Sequence, residues 1–73
     1  MPRKSEPWLK NCIRELREQH TNLTQQDFAD QIGVTRQTIV ALEKGTYSPS
    51  LALALRIAAL FEKSVEEIFW IEE

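Results

Sequence analysis

The chain has 73 residues, 42% hydrophobic and 27% charged, with a net charge of −2. That length suits one small domain, near the lower limit at which a core sustains itself, where oligomerisation is a ready supplement. The charge balance argues against a generally basic nucleic-acid binder, the lone Cys12 rules out an internal disulfide, and no Cys/His spacing suits zinc.

Residues Met1 to Glu6 are polar and include Arg3 and Lys4, which reads as a flexible N-terminal arm over 1–6. Pro7 suits the first turn of a helix, predicted to run from there to about Gln19. Leu9, Ile13 and Leu16 recur at helical spacing as its core stripe. Cys12 lies beside the stripe as a small, half-buried apolar residue. Trp8 lies off it, and either covers the core edge or is partly exposed. His20, Thr21 and Asn22 connect to the next helix; a lone loop histidine is expected to be solvated rather than catalytic.

Thr24 can cap a second helix, with Asp27 completing a capping box. Phe28, Ala29 and Ile32 share one face, and Gly33 ends the helix in a left-handed conformation. Val34 plugs the turn. Thr35 caps a third helix, whose inward residues are Ile39 and Leu42 and which Gly45 stops. Two short helices joined by a glycine-containing turn describe a helix-turn-helix.

Arg36, Gln37 and Thr38 occupy the first turn of the third helix. Arg can pair bidentately with guanine and Gln with adenine, and the Thr methyl can touch thymine. Taken singly, each is more readily a solvated polar residue. The caps, the turn and the apolar register together favour base reading.

After the loop Thr46 to Pro49, Ser50 caps a helix predicted over Leu51–Phe61. Leu51, Ala54, Leu55 and Ala58 line one face and Leu53, Ile57 and Leu60 an adjacent one. Apolar character over so much of the circumference places a helix in the core or against a partner. This segment is too short to span a membrane and lacks the charged flank of a signal peptide, so a cytoplasmic location is expected. Ser64 and Glu67 form another capping box, opening a short helix from Val65 to about Phe69. Trp70 and Ile71 follow with little chain left to bury them, the mark of a contact surface. Charge divides along the chain: residues 1–61 hold eight Lys/Arg against six Asp/Glu, a net +2, while residues 62–73 hold one Lys against five Glu, a net −4.

The stretches Leu23-Thr24-Gln25, Gly33 to Ile39, Leu42 to Gly45, Tyr47 to Leu51 and Val65 to Phe69, with Ala29, resemble the Cro/cI-type (Xre) helix-turn-helix of phage repressors and small bacterial and archaeal regulators. The likeness covers nearly everything past Lys10. It implies an all-α, five-helix, lambda-repressor-like DNA-binding domain over 7–73, with the third helix in the major groove and the second across the backbone. It also implies base-reading positions at Arg36, Gln37 and Thr38, and backbone contacts from Gln25, Thr35, Lys44 and Tyr47. Ala41 stands where some relatives carry a longer reader. An Arg of the first helix pairs with a Glu of the third in similar proteins, which here are Arg17 and Glu43. The turn before Leu23 is one residue longer than is usual in the family, and Asn22 is expected in its left-handed position.

One such helix reads few base pairs, so a homodimer on a palindromic operator is expected, with Phe69, Trp70 and Ile71 at the apolar centre of its tail-to-tail contact. Alternatively, Trp70 folds back on its own core. The function that follows is sequence-specific binding of double-stranded DNA by a transcriptional regulator, a repressor in the simplest case. A protein-interaction or antitoxin-like module on the same fold is the alternative. No catalytic constellation, metal site, cofactor, membrane segment or small-molecule ligand is expected.

Overall fold

The computed structural model describes residues 9–72. The expected arm at 1–6, the helix start at Pro7 and the environment of Trp8 lie outside the described residues. In chain order the elements are β1 (Leu9–Asn11), α1 (Ile13–His20), α2 (Gln25–Ile32), α3 (Arg36–Lys44), α4 (Leu51–Phe61), α5 (Val65–Ile68) and β2 (Phe69–Ile71). The five helices are those expected, and a two-stranded sheet is added to them.

That sheet corrects both ends of the sequence reading. Leu9 to Asn11 are not helical; they run antiparallel to the tail, with Leu9 opposite Ile71, Lys10 opposite Trp70 and Asn11 opposite Phe69. The Cys12 N–H donates to the Ile68 carbonyl at 3.0 Å, continuing the link past the strand end. α1 therefore starts at Ile13, and α5 ends at Ile68 rather than Phe69. Pairing satisfies backbone groups that a frayed tail would leave to water. It also sets Phe69 into the core while leaving Trp70 and Ile71 exposed, so only these two of the expected apolar trio present themselves outward.

The core collects Ile13 and Leu16 of α1, Phe28, Ala29 and Ile32 of α2, Ile39 and Leu42 of α3, Leu53, Ala54, Ile57 and Ala58 of α4, and Ile68 and Phe69. The Phe28 and Phe61 rings lie 5.5 Å apart in a tilted pair that locks α2 to α4. On α4 the buried face is Leu53, Ala54, Ile57 and Ala58; Leu51 and Leu55, expected beside Ala54 and Ala58, are 71% and 54% exposed. Cys12 is half-buried, and its thiol points to the Glu67 carbonyl at 3.5 Å. Burial, with the nearby Glu15 charge, pushes that thiol's pKa up.

Side-chain caps set most helix starts. The Thr24 hydroxyl accepts from the Asp27 N–H, and the Asp27 carboxylate accepts from the Thr24 N–H. Ser64 and Glu67 repeat the arrangement at α5, and Ser50 caps α4. Gly33 and Gly45 end α2 and α3 at φ 78°, a left-handed backbone that glycine adopts without strain. At α4 that role falls to Glu62, at φ 56°. Asn22 does not take a left-handed conformation, contrary to expectation. The turn is held by Thr21 instead: its hydroxyl donates to the Arg17 carbonyl at 2.6 Å and accepts from the Leu23 N–H at 3.1 Å. One side chain thus closes the α1 terminus without positive φ.

Candidate nucleic-acid interface

The first turn of α3 begins at Thr35, whose hydroxyl accepts from the Thr38 N–H at 3.3 Å and shares a 3.1 Å hydrogen bond with the Thr38 hydroxyl. That cap fixes the helix start and draws Thr38 partly inward. Arg36 and Gln37 follow at the tip, both exposed, and neither side chain has a hydrogen-bond partner among the described residues. Further along the helix, Ile39 and Leu42 are fully buried. Arg36 and Gln37 lie at the exposed tip of the helix, while the apolar pair anchors it in the core.

How α3 is held depends on Glu43. Its carboxylate accepts from Arg17 Nε at 2.7 Å and Arg17 Nη2 at 3.3 Å, a two-pronged contact, and from Gln25 Nε2 at 3.0 Å. The paired side chains are only 11% and 4% exposed, so the bridge is shielded from solvent. Arg17 Nη1 also donates to the Leu23 carbonyl at 3.1 Å. One guanidinium thereby ties α1 to α3 and to the loop before α2. The hydrogen bond to Glu43 is the main cause of the raised Arg17 pKa. A forked Arg–carboxylate contact fixes orientation as well as distance.

Gln25 sits at the first residue of α2, where resemblance gives it a phosphate contact; one amide N–H is committed to Glu43 and the other is available. A cleft of about 230 Å³ opens here, lined by Arg14, Arg17, Glu18, Gln25, Val40, Glu43 and Lys44. A second, of about 160 Å³, lies at the α3 terminus among Leu9, Lys10, Asn11, Glu43, Lys44 and Gly45. Lys44 borders both and is exposed, as is Tyr47 in the following loop. From Arg36 to Lys44 the helix rises about 12 Å, at about 1.5 Å per residue. With the Glu43 charge neutralised by Arg17, the exposed charges along α3 are cationic.

Two contacts escaped the sequence reading. Asn11 bridges β1, α1 and α3; the signal available was an Asn just ahead of an apolar helical run, a helix-start signature. Gln25's bond to Glu43 joins residues 18 apart and leaves no local trace. No group of three or more His, Cys, Asp or Glu among the described residues is placed to hold a metal ion. No helix among them is long and apolar enough to cross a membrane.

An anchored helix with an outward polar tip, set behind a capped helix and a glycine turn, defines a helix-turn-helix domain of the DNA-binding kind. The helix-turn-helix family model matches residues 13–68. An HTH-type transcriptional regulator of Methanothermobacter thermautotrophicus is 54% identical over 89% of this chain and 94% of its own length. YgzD of Bacillus subtilis, also named as an HTH-type transcriptional regulator, is 46% identical over 89% of this chain and 97% of its own. The cryptic phage CTXphi transcriptional repressor RstR of Vibrio cholerae is 38% identical over 77% of this chain and half of its own length. The chain belongs to the Cro/cI-type (Xre) family of helix-turn-helix transcriptional regulators.

Proposed function

We propose that this protein binds a specific double-stranded DNA sequence as a homodimer in the cytoplasm and represses transcription by occluding a promoter. The observation that carries the reading is the exposed pair Arg36 and Gln37, without side-chain partners among the described residues, on a helix whose placement is fixed by the buried Arg17–Glu43 bridge. Arg36 and Gln37 read base edges. Thr38, with its hydroxyl engaged by Thr35, contributes its methyl. Thr35, Lys44, Tyr47 and the second amide N–H of Gln25 hold the backbone on either side.

Dimerisation is supported by exposed apolar side chains on two elements: Trp70 and Ile71 on β2, and Leu51 and Leu55 one turn apart on α4. Such side chains stand out on a domain whose core is otherwise well enclosed. The testing experiment is selection from random duplexes with the purified protein. Enrichment of a palindrome with half-sites one helical turn apart is expected. An enriched single half-site would refute the dimer, and no enrichment at all would refute sequence-specific reading.

A further inference from the structure

The backbone of β1 and the DNA-reading helix are joined by one side chain. Asn11 Nδ2 donates to the Leu42 carbonyl at 3.0 Å, in the last turn of α3, where the same carbonyl also accepts the capping Gly45 N–H at 3.1 Å. The same side chain's Oδ1 accepts from the Ile13 N–H at 3.0 Å, closing the start of α1. Asn11 is also a paired strand residue, opposite Phe69, whose side chain is buried in the core. We propose that Asn11 is a positioning residue for DNA recognition: it latches the β1–β2 sheet to the C-terminal end of α3 and so sets the angle at which Arg36 and Gln37 enter the groove. This rests on the DNA-reading function proposed above.

The two ends of α3 are unequally held. Thr35 caps its start from within the helix-turn-helix. Its end is held from outside by three attachments on different sequence segments: the Arg17 fork and the Gln25 amide on Glu43, and the Asn11 amide on Leu42. The Arg17 fork is charged, and rotating Glu43 about its side chain bonds can preserve it through small changes of helix tilt. The Asn11 bond reaches the backbone itself, with no flexible side chain on the α3 side. A tilt of α3 must therefore break it or carry β1 along. Because β1 is paired with β2, the tail bearing Trp70 and Ile71 is mechanically continuous with the reading helix.

The test compares the wild-type chain with Asn11→Asp and Asn11→Ser. Asp keeps the shape and the acceptor for the Ile13 N–H but has no N–H for Leu42. Ser keeps a short acceptor without adding charge, and does not reach Leu42. For each, affinity is measured for the duplex selected by the wild type and for a random duplex at the same salt, with circular dichroism confirming cooperative unfolding. The expected result is a tenfold or greater fall in the ratio of selected to random affinity for both variants, with random-duplex binding within about threefold for Asn11→Ser. A folded variant that keeps the wild-type ratio overturns the latch alone. Loss of cooperative unfolding in both variants also overturns it, by assigning Asn11 to the fold. A wild type that prefers no duplex removes the DNA reading, and the latch falls with it.

Discussion

Glu43 is a poorly chosen residue for a helix proposed to approach phosphates, unless its charge is taken up internally. The structure takes it up three ways, through two guanidinium nitrogens and the Gln25 amide. Removing Arg17 leaves a carboxylate in a site only 4% exposed, and uncompensated buried charges are costly. Arg17→Ala is expected to cost about 3 kcal/mol, a fall in Tm of more than about 10 °C for a domain of this size. Glu43→Gln keeps the shape and some hydrogen bonding, and should cost about 1–2 kcal/mol. Thermal unfolding decides: two variants that melt with the wild type would make the bridge a surface ornament. The pH dependence follows from the direction of the Arg17 shift. Its folded pKa is raised, so its contribution is full below the ordinary guanidinium pKa and is lost only above the raised value. Between pH 6 and 9 Arg17 itself should give stability no slope.

Among the elements, α4 and α5 carry the clearest tests. Glu62 ends α4 at φ 56°, where an L side chain is strained by about 1–2 kcal/mol and glycine is not. Part of that strain is offset by glycine's greater freedom in the unfolded chain, so Glu62→Gly should stabilise by about 0.5–1 kcal/mol in urea unfolding. A destabilised variant would mean that the Glu62 side chain contributes something at the cap. In α5 the Glu67 carboxylate accepts from the Ser64 N–H at 2.8 Å, and that bond, with the Ser64 hydroxyl, holds its pKa below the usual glutamate value. With a lowered folded pKa, the cap is complete above the ordinary glutamate pKa and is lost as pH falls through the depressed one. The Ser64 amide proton shift should therefore follow the Glu67 carboxylate with a midpoint below the ordinary glutamate pKa; a midpoint above it would contradict the capping box.

These elements also separate what the sequence makes legible from what it hides. α2 and α3 are readable because their boundaries are chemical: Thr24 with Asp27, Gly33, Thr35 and Gly45 specify caps within a few residues of the helices they end. The strands are not readable, because Leu9 meets Ile71 across nearly the whole chain, and three residues carry too little alternation to outweigh a chance helical spacing with Ile13 and Leu16. Asn22 loses the turn to Thr21 because a hydroxyl that reaches back to Arg17 removes the need for a left-handed residue. At the site, the inward face of α3 follows from the period of Ile39 and Leu42. The bridge that orients it came through family resemblance, and the Asn11–Leu42 and Gln25–Glu43 bonds emerge only from packing.

For the whole molecule the difficulty is electrostatic: a chain of net charge −2 has to approach a polyanion. The negative balance is concentrated after Phe61, while the bridge removes the acid that α3 would otherwise present. Little general attraction remains, so affinity must come from a few directed contacts, and these have separable signatures. Arg36→Ala should weaken the selected duplex by about 1–3 kcal/mol and relax one base position, with little effect on random DNA. Lys44→Ala should weaken both duplexes alike and lower the salt slope by about 1. Equal losses on both duplexes for Arg36→Ala would deny it a base contact. Few contacts per copy make a second copy valuable, and the sheet that buries Phe69 leaves Trp70 facing outward opposite Lys10. Trp70→Ala keeps the strand backbone and removes the ring, so it tests association without dismantling the fold. Sedimentation at micromolar concentration should give twice the 8.5 kDa chain mass for the wild type and the single mass for Trp70→Ala. The variant's DNA affinity should then become strongly dependent on protein concentration. A wild type that sediments at the single mass would mean that each copy reads its site alone.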